Sequence, residues 1–320
     1  MILITGGAGF IGANLVRSLT SSGCRLKVLD NLSAGRAEDL AGLPVEFLQG
    51  DIRHRTDVAA AMAGVEAVVH LAADTGVVDS VANPEFNLEV NVRGTFNLLQ
   101  EAVACQVERF VFASTGGAIM GEVTPPVHED MVPRPISPYG ASKLAAEGYC
   151  SAFWGSYGLK TISLRFSNVY GPFSYHKGSV IAKLFRQVMV GEPITIFGDG
   201  EQTRDFVFVA DLCEAIRAAL EADLPFGQAL QLGTGRETSI NQLVAMMRQV
   251  VQEASFPPVK HVPPRAGEVS RNFVKIDKAK KFLGFDPKTG LLEGLQLTWQ
   301  WFRQQPLAAG AIDPANFPNP

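Results

Sequence analysis

The sequence is poor in cysteine, in charge and in long apolar runs. Four cysteines, Cys24, Cys105, Cys150 and Cys213, are scattered over 320 residues without metal-ligand spacing. They read as structural thiols of a chain in a reducing cytoplasm, so neither a disulfide framework nor a metal site is expected. No run of about 18 apolar residues occurs, so no transmembrane helix and no membrane partner are expected. The opening MILITGGAGF has neither a basic region nor a cleavage site, and is expected to be a strand entering a turn rather than a signal peptide. Charged residues make up 19% and the net charge is −4. That balance leaves no footprint for nucleic acid or an acidic membrane surface. An anionic ligand would have to be met by individually placed arginines.

What is abundant is apolar material, 47% of the chain, enough for a large core. A length of 320 residues suits one large α/β domain with a smaller one appended. Buried strands rich in Val, Ile, Leu and Phe are expected at 1–5, 25–30, 45–49, 67–72, 109–114 and 161–166. Helical stretches are expected near 12–22, 57–63, 87–106 and 139–157. This alternation implies a Rossmann-type, doubly wound parallel sheet with helices on both faces. Ligands of such sheets bind beyond the carboxyl ends of the strands. The rhythm breaks after about Tyr170, where Pro and Gly punctuate 171–200 and 257–267, and a smaller C-terminal α/β substrate domain is expected. The expected division gives 1–170 to the cofactor, with 205–253 returning partly to that unit, and 171–204 with 254–320 to the substrate. The tail after Gln305 has no periodic pattern.

The first strand ends in Thr5-Gly6-Gly7-Ala8-Gly9-Phe10-Ile11-Gly12. Glycines here let the backbone turn tightly against a pyrophosphate, and the following helix N-terminus offers free N–H groups and a positive dipole. Alone such a turn is weak evidence. Its context is stronger, because it follows a strand, opens a helix, and is followed by Asp30 at the end of the second strand. A carboxylate there bonds the adenosine ribose diol and repels a 2′-phosphate. No Arg or Lys lies within 31–35, so NAD is expected over NADP, with Arg36 the one nearby cation. Asp51 is a candidate for the adenine edge; a helix N-cap or turn residue is the plainer reading.

Tyr139 and Lys143 stand four apart, so a helix puts them on one face. An ammonium near a phenol lowers its pKa from about 10 toward neutrality and makes tyrosine usable as a general base. Thr115, after the fifth strand, adds a hydroxyl that can bond a substrate oxygen. Beside a dinucleotide site, this trio suits hydride transfer at a carbinol carbon.

These residues belong to a longer series of motifs: TGGAGFIG at 5–12, DNLSAGR at 30–36, GDI at 50–52, HLAA at 70–73, NVRGT at 91–95, STGGAIMG at 114–121, SPYGASK at 137–143, LRFSNVYGP at 164–172, GDGEQTRDFVFVADL at 198–212 and PPRAGE at 263–268. In content and order the series resembles the extended short-chain dehydrogenase/reductases, and within them the nucleotide-sugar epimerases of the UDP-glucose 4-epimerase group. The resemblance implies that NAD is lined by Gly6, Gly9, Phe10, Ile11, Gly12, Asp30, Asn31, Asp51, Ile52, Leu71, Ala72, Ala73, Asn91, Tyr139, Lys143 and Ser167. It implies a UDP-sugar held by Thr115, Asn168, Arg204, Arg265 and Glu268, with Asn272 beside the sugar C2 substituent. A small residue at that last position would admit an N-acetyl group. Arginine suits the diphosphate through its planar, bidentate donors. For Arg204 an ion pair with Asp205 is the plainer alternative. The resemblance further implies a homodimer, in which the 87–106 and 139–157 helices pair with their symmetry mates through Asn97-Leu98-Leu99, Ala102-Val103 and Ala145-Ala146.

One departure from the family pattern is Met120, where a Tyr is common; it predicts a missing aromatic wall for the sugar. The residues after Thr115 are Gly116-Gly117-Ala118-Ile119, with no carboxylate before Glu122. Dehydratases and UDP-glucuronate decarboxylases of this superfamily carry acidic residues there, and elimination needs a positioned acid and base. Epimerisation at C4 through a transient 4-keto sugar is therefore expected. A nucleotide-sugar reductase or dehydrogenase with dissociable cofactor, a UDP-uronate epimerase, and a silent NAD-binding regulator are the alternatives. Arg271 and Lys177 bear on the uronate case, since a cation near C6 would favour it.

Overall fold

The computed structural model describes residues 1–252, 256–264 and 269–306. Strands β1 (Ile2–Thr5), β2 (Leu26–Asp30), β3 (Val45–Gln49), β4 (Ala67–His70), β5 (Arg109–Thr115) and β6 (Lys160–Phe166) are joined by a further strand, Ala229–Leu232. Between β6 and that strand lie β7 (Asn168–Tyr170), β8 (Ile194–Phe197), β9 (Thr203–Arg204) and β10 (Phe206–Phe208), so it is β11. The main sheet is seven-stranded in the order β11-β6-β5-β4-β1-β2-β3, and each neighbouring pair is parallel. This is the doubly wound parallel sheet that the alternating apolar runs predict. The order reverses between β1 and β4, which opens a crevice at their carboxyl ends.

Helix α1 (Phe10–Ser21) packs over one face together with α8 (Val209–Glu221). On the other face lie α2 (Arg55–Met62), α5 (Gly94–Ala104) and α6 (Pro138–Tyr157). Between α2 and α5 the chain forms short helices α3 (Val77–Ala82) and α4 (Pro84–Leu88). The single helix expected over 87–106 is thus interrupted: α4 passes into a π-helical turn, Glu89–Arg93, before α5 begins. The wide turn carries Asn91 to a buried position where its amide is fully used. Helix α6 begins where its sequence signals a start, with Pro138 in the first turn and the Ser137 hydroxyl accepting from the Gly140 N–H. His70, only 1% exposed, bonds Thr5 on β1 at 2.7 Å and Thr95 on α5 at 2.9 Å. It ties sheet to helix, and burial pushes its pKa well below the usual imidazole range.

A third apolar cluster lies outside the two sheet faces. It joins α7 (Val180–Val190), α9 (Ile240–Val251) and α11 (Leu291–Phe302) to β8, β10 and Tyr170. Three short strand pairs serve it: β7 with β10, β9 with β12 (Thr238–Ser239), and β8 with β13 (Val259–Val262). The short helix α10 (Asp277–Leu283) packs beside β11. No helix among the described residues is long and apolar enough to cross a membrane.

Candidate active site and cofactor crevice

The glycine turn between β1 and α1 is packed to the limit. Gly6 has φ +69°, open to glycine and strained for other residues, and a Cβ on it would lie 2.6 Å from the Ala72 nitrogen. A Cβ on Gly12 would lie 2.2 Å from the Gly6 carbonyl oxygen. Gly9 is the N-cap of α1 and has no side chain to accept from the first helical N–H groups, so no side chain caps this helix start. Leu71 and Ala72 continue from β4 beside this turn; Leu71 N–H donates to Thr5 O at 3.0 Å and Ala72 N–H to the Thr5 hydroxyl at 3.3 Å. Ala73 follows, half-buried.

Asp30 is 7% exposed, and its two oxygens accept from the N–H groups of Ala8 at 3.0 Å and Leu32 at 2.8 Å. The carboxylate therefore shapes the glycine turn itself, a duty its sequence position does not announce. Burial raises its pKa, and the two N–H bonds act against that. Asp51 is bonded by Arg53 at 3.0 and 2.8 Å and by Asn31 at 2.9 Å. The Arg53 guanidinium holds its carboxyl well below the usual range. Ile52 lies buried under Gly94, and its carbonyl accepts from Asn97 at 3.1 Å. Asn91 bonds the Asp74 backbone at 2.9 Å in both directions and Ser142 at 3.0 Å. It thus joins the loop after β4 to α6, one residue before Lys143. Arg36 turns to His176 at 3.3 Å and to Glu38 at 3.8 Å.

Thr115 ends β5, and its hydroxyl is hydrogen-bonded to the phenol of Tyr139 on α6. Lys143, one turn on and 3% exposed, donates its ammonium to the Ala113 carbonyl at 2.8 Å and lies 4.7 Å over the Phe112 ring. The trio expected from the sequence is thus assembled at the end of β5. The expected acidic shift of the phenol is not: burial pushes Tyr139 up to about 12. Lys143 itself is pushed down to about 7, by burial first and the Lys177 charge second. For the phenol, desolvation outweighs the Thr115 hydrogen bond, and the Asp74 charge adds to the upward shift.

Ser167, between β6 and β7, has a buried hydroxyl with no partner among the described residues. An orphaned hydroxyl and a glycine cradle that a Cβ would fill are what a bound dinucleotide would complete. Asn168 begins β7, its N–H bonded to Asp205 O at 3.0 Å. Arg204 donates to the carbonyls of Thr203 at 2.7 Å and Val269 at 2.8 Å. The Asp205 carboxylate accepts instead from Thr234, Gly235 and Val274. The side-chain amide of Asn272 packs on Gly117, 2.2 Å from where a Cβ there would stand, two residues past Thr115. Arg265 and Glu268 lie outside the described residues.

Met120 is wholly buried in the core and forms no wall for a sugar, in keeping with the missing aromatic wall expected there. Two expectations change. Arg271 is held by Glu237 in a bidentate pair at 2.7 Å, and Lys177 donates to Thr75 at 2.7 Å, so neither stands as an uncommitted cation. Leu98, Leu99, Ala102 and Ala146 are 0% exposed and belong to the core beneath the sheet, not to a second surface. Sequence reasoning also missed a network under the trio. Arg165 on β6 makes a buried pair with Glu147 on α6 at 2.7 Å, and Ser114 donates to Glu147 at 2.5 Å. Nothing local links residues so far apart. Gln231 on β11 is likewise buried, with its amide against Gly116.

The model of the NAD dependent epimerase/dehydratase family matches residues 2–233. The chain is 37% identical over 315 residues to the UDP-glucose 4-epimerase of Mycolicibacterium smegmatis, covering 95% of this chain and 98% of that one. It resembles the crystal structure of Thermotoga maritima UDP-glucose 4-epimerase with UDP-glucose at 39% identity and TM-score 0.89, over 94% of this chain and 98% of that one. It resembles the Thermus thermophilus UDP-glucose 4-epimerase complex with NAD at 38% identity and TM-score 0.87, over 95% of this chain and 99% of that one. A match over most of the chain, with a glycine turn, an acid at the end of β2 and a Thr-Tyr-Lys trio in one crevice, makes this chain a member of the NAD-dependent epimerase/dehydratase family.

Proposed function

We propose that the protein epimerises a UDP-sugar at C4, interconverting UDP-glucose and UDP-galactose and admitting their N-acetyl forms, with NAD held through the cycle. The observation that carries this reading is the Thr115–Tyr139–Lys143 cluster opening onto the glycine crevice, with glycine rather than a carboxylate following Thr115. Gly6, Gly9, Gly12, Asp30 and the Ser167 hydroxyl are proposed to hold the cofactor. Asn168, Arg204, Arg265 and Glu268 are proposed to hold the nucleotide, and Asn272 to border the sugar. The third apolar cluster is proposed to be the core of the substrate domain.

In this scheme the Thr115 hydroxyl bonds the sugar O4 and the Tyr139 phenolate takes its proton. When bound, NAD supplies the hydride acceptor and a positive charge that favours the ionised phenol. Lys143, held on the Ala113 carbonyl, adds a second positive charge when protonated. The 4-keto sugar turns over, C4 receives hydride on its other face, and Tyr139 returns the proton to O4. Neither step needs a carboxylate, which fits the loop after Thr115. The commitments of Arg271 to Glu237 and Lys177 to Thr75 speak against a uronic acid. The reading includes a homodimer, supported by exposed Phe86, Leu88, Tyr149 and Tyr157 along α4 and α6, and a cytoplasmic setting, supported by four free cysteines. The test is a panel of UDP-sugars assayed with and without added NAD, beside a Tyr139→Phe variant. Interconversion without added cofactor, lost by roughly two to four orders of magnitude in the variant, is expected. Turnover that needs added cofactor, or a near-normal variant, would favour another reaction.

A further inference from the structure

The segment from Pro172 to Lys177 crosses the carboxyl edge of the sheet and is fastened to three of the elements that border the crevice. On α1, the Asn14 amide donates to Pro172 O at 2.9 Å and the Arg17 guanidinium lies 4.7 Å over the Phe173 ring. In the loop after β2, Arg36 donates to His176 at 3.3 Å. In the loop after β4, the Thr75 hydroxyl accepts from Lys177 at 2.7 Å. From behind, Arg186 on α7 bonds the carbonyls of Tyr175 and Lys177. These points lie on both sides of the β1/β4 switch, so the segment spans the glycine turn. Its base is strained: Phe173 has φ +65°, a conformation that costs a non-glycine residue and persists only where its surroundings enforce it. Arg17 on one side and Trp301, 5.1 Å away, on the other supply that enforcement.

We propose that residues 172–177 are a latch over the dinucleotide crevice, fastened by Lys177 to Thr75 and by His176 to Arg36, that retains the cofactor between the two hydride steps. The proposal rests on the reading of this crevice as the NAD site. The chemistry gives the latch its purpose. The oxidised sugar and the reduced cofactor must stay together until hydride returns, so cofactor exchange in mid-cycle strands the sugar at the keto stage. A bond between a strap and the opposite wall slows that exchange without touching the reacting atoms.

The test measures retention rather than turnover. Wild-type protein, Lys177→Met and Thr75→Val are loaded with radiolabelled NAD, chased with excess unlabelled NAD, and the label remaining is followed. Each variant should lose label at least tenfold faster than wild type, and the double variant no faster than the singles, because both remove one contact. Thermal unfolding within a few degrees of wild type certifies the fold. Either single variant retaining NAD with the wild-type half-life overturns the latch. A wild-type protein that takes up no labelled NAD and also releases none on denaturation overturns the cofactor reading, and the latch with it.

Discussion

Lys143 is a cation kept where a cation is costly. Its unfolded pKa of 10.5 falls to about 7 in the fold, chiefly through burial. Between those values the unfolded chain holds a proton that the native one has released, so stability rises with pH across that window, and below about pH 7 the cost of the buried charge is present in full. Lys143→Met should therefore raise stability at pH 7 by roughly 2 kcal/mol, seen as a higher thermal midpoint, while turnover collapses. A lower midpoint would show that the ammonium stabilises the fold. Asn272 offers the second test at this scale. Its amide lies on Gly117 beside Thr115, so Asn272→Tyr should cut kcat/KM for UDP-N-acetylglucosamine at least tenfold more than for UDP-glucose. An equal change in both, or no wild-type activity on the N-acetyl sugar, removes Asn272 from the pocket. The trio could be singled out because the Tyr139/Lys143 spacing falls within a motif series that opens with the glycine turn, not from the spacing alone. The charge state of the phenol was not readable, since it depends on burial and on the Asp74 charge, which no spacing encodes.

At the scale of elements, the six strands expected from apolar runs lie within a few residues of their places, because a strand buried on both faces leaves a continuous signature. The edge strand β11 was half-seen, as its four residues are too few for a pattern. The π-helical turn was invisible, because what holds it, Asn91 bonded to Asp74 and Ser142, is a set of long-range contacts. The same holds for Arg165 and Glu147, which pin α6 to β6 beneath the trio. Arg165→Met leaves the Glu147 carboxylate buried and unpaired, and should cost about 3–5 kcal/mol. The double variant with Glu147→Leu should recover much of that loss in denaturant unfolding. If Arg165→Met alone unfolds like wild type, the pair does not fasten these elements.

For the whole molecule, the apolar helix surface expected to pair two copies is largely consumed inside one. Leu98, Leu99 and Ala102 fill the core, while the apolar side chains outside include Val81, Phe86, Leu88, Tyr149 and Tyr157, from 41% to 63% exposed. So much exposed apolar surface on neighbouring helices suits a second copy of the chain. Light scattering at micromolar concentration should give twice the 34.4 kDa chain mass. Tyr149→Glu with Leu88→Glu should give a folded monomer, and a wild-type monomer would refute the pairing. The central claim is that hydride leaves C4 and returns to the same carbon. Purified protein should be given UDP-glucose carrying deuterium at C4, with no added cofactor, and the UDP-galactose formed should be examined by mass spectrometry and NMR. The account predicts interconversion with the deuterium kept at C4 and no net reduced cofactor; loss of the label, accumulation of an oxidised sugar, or no galactose product would contradict it.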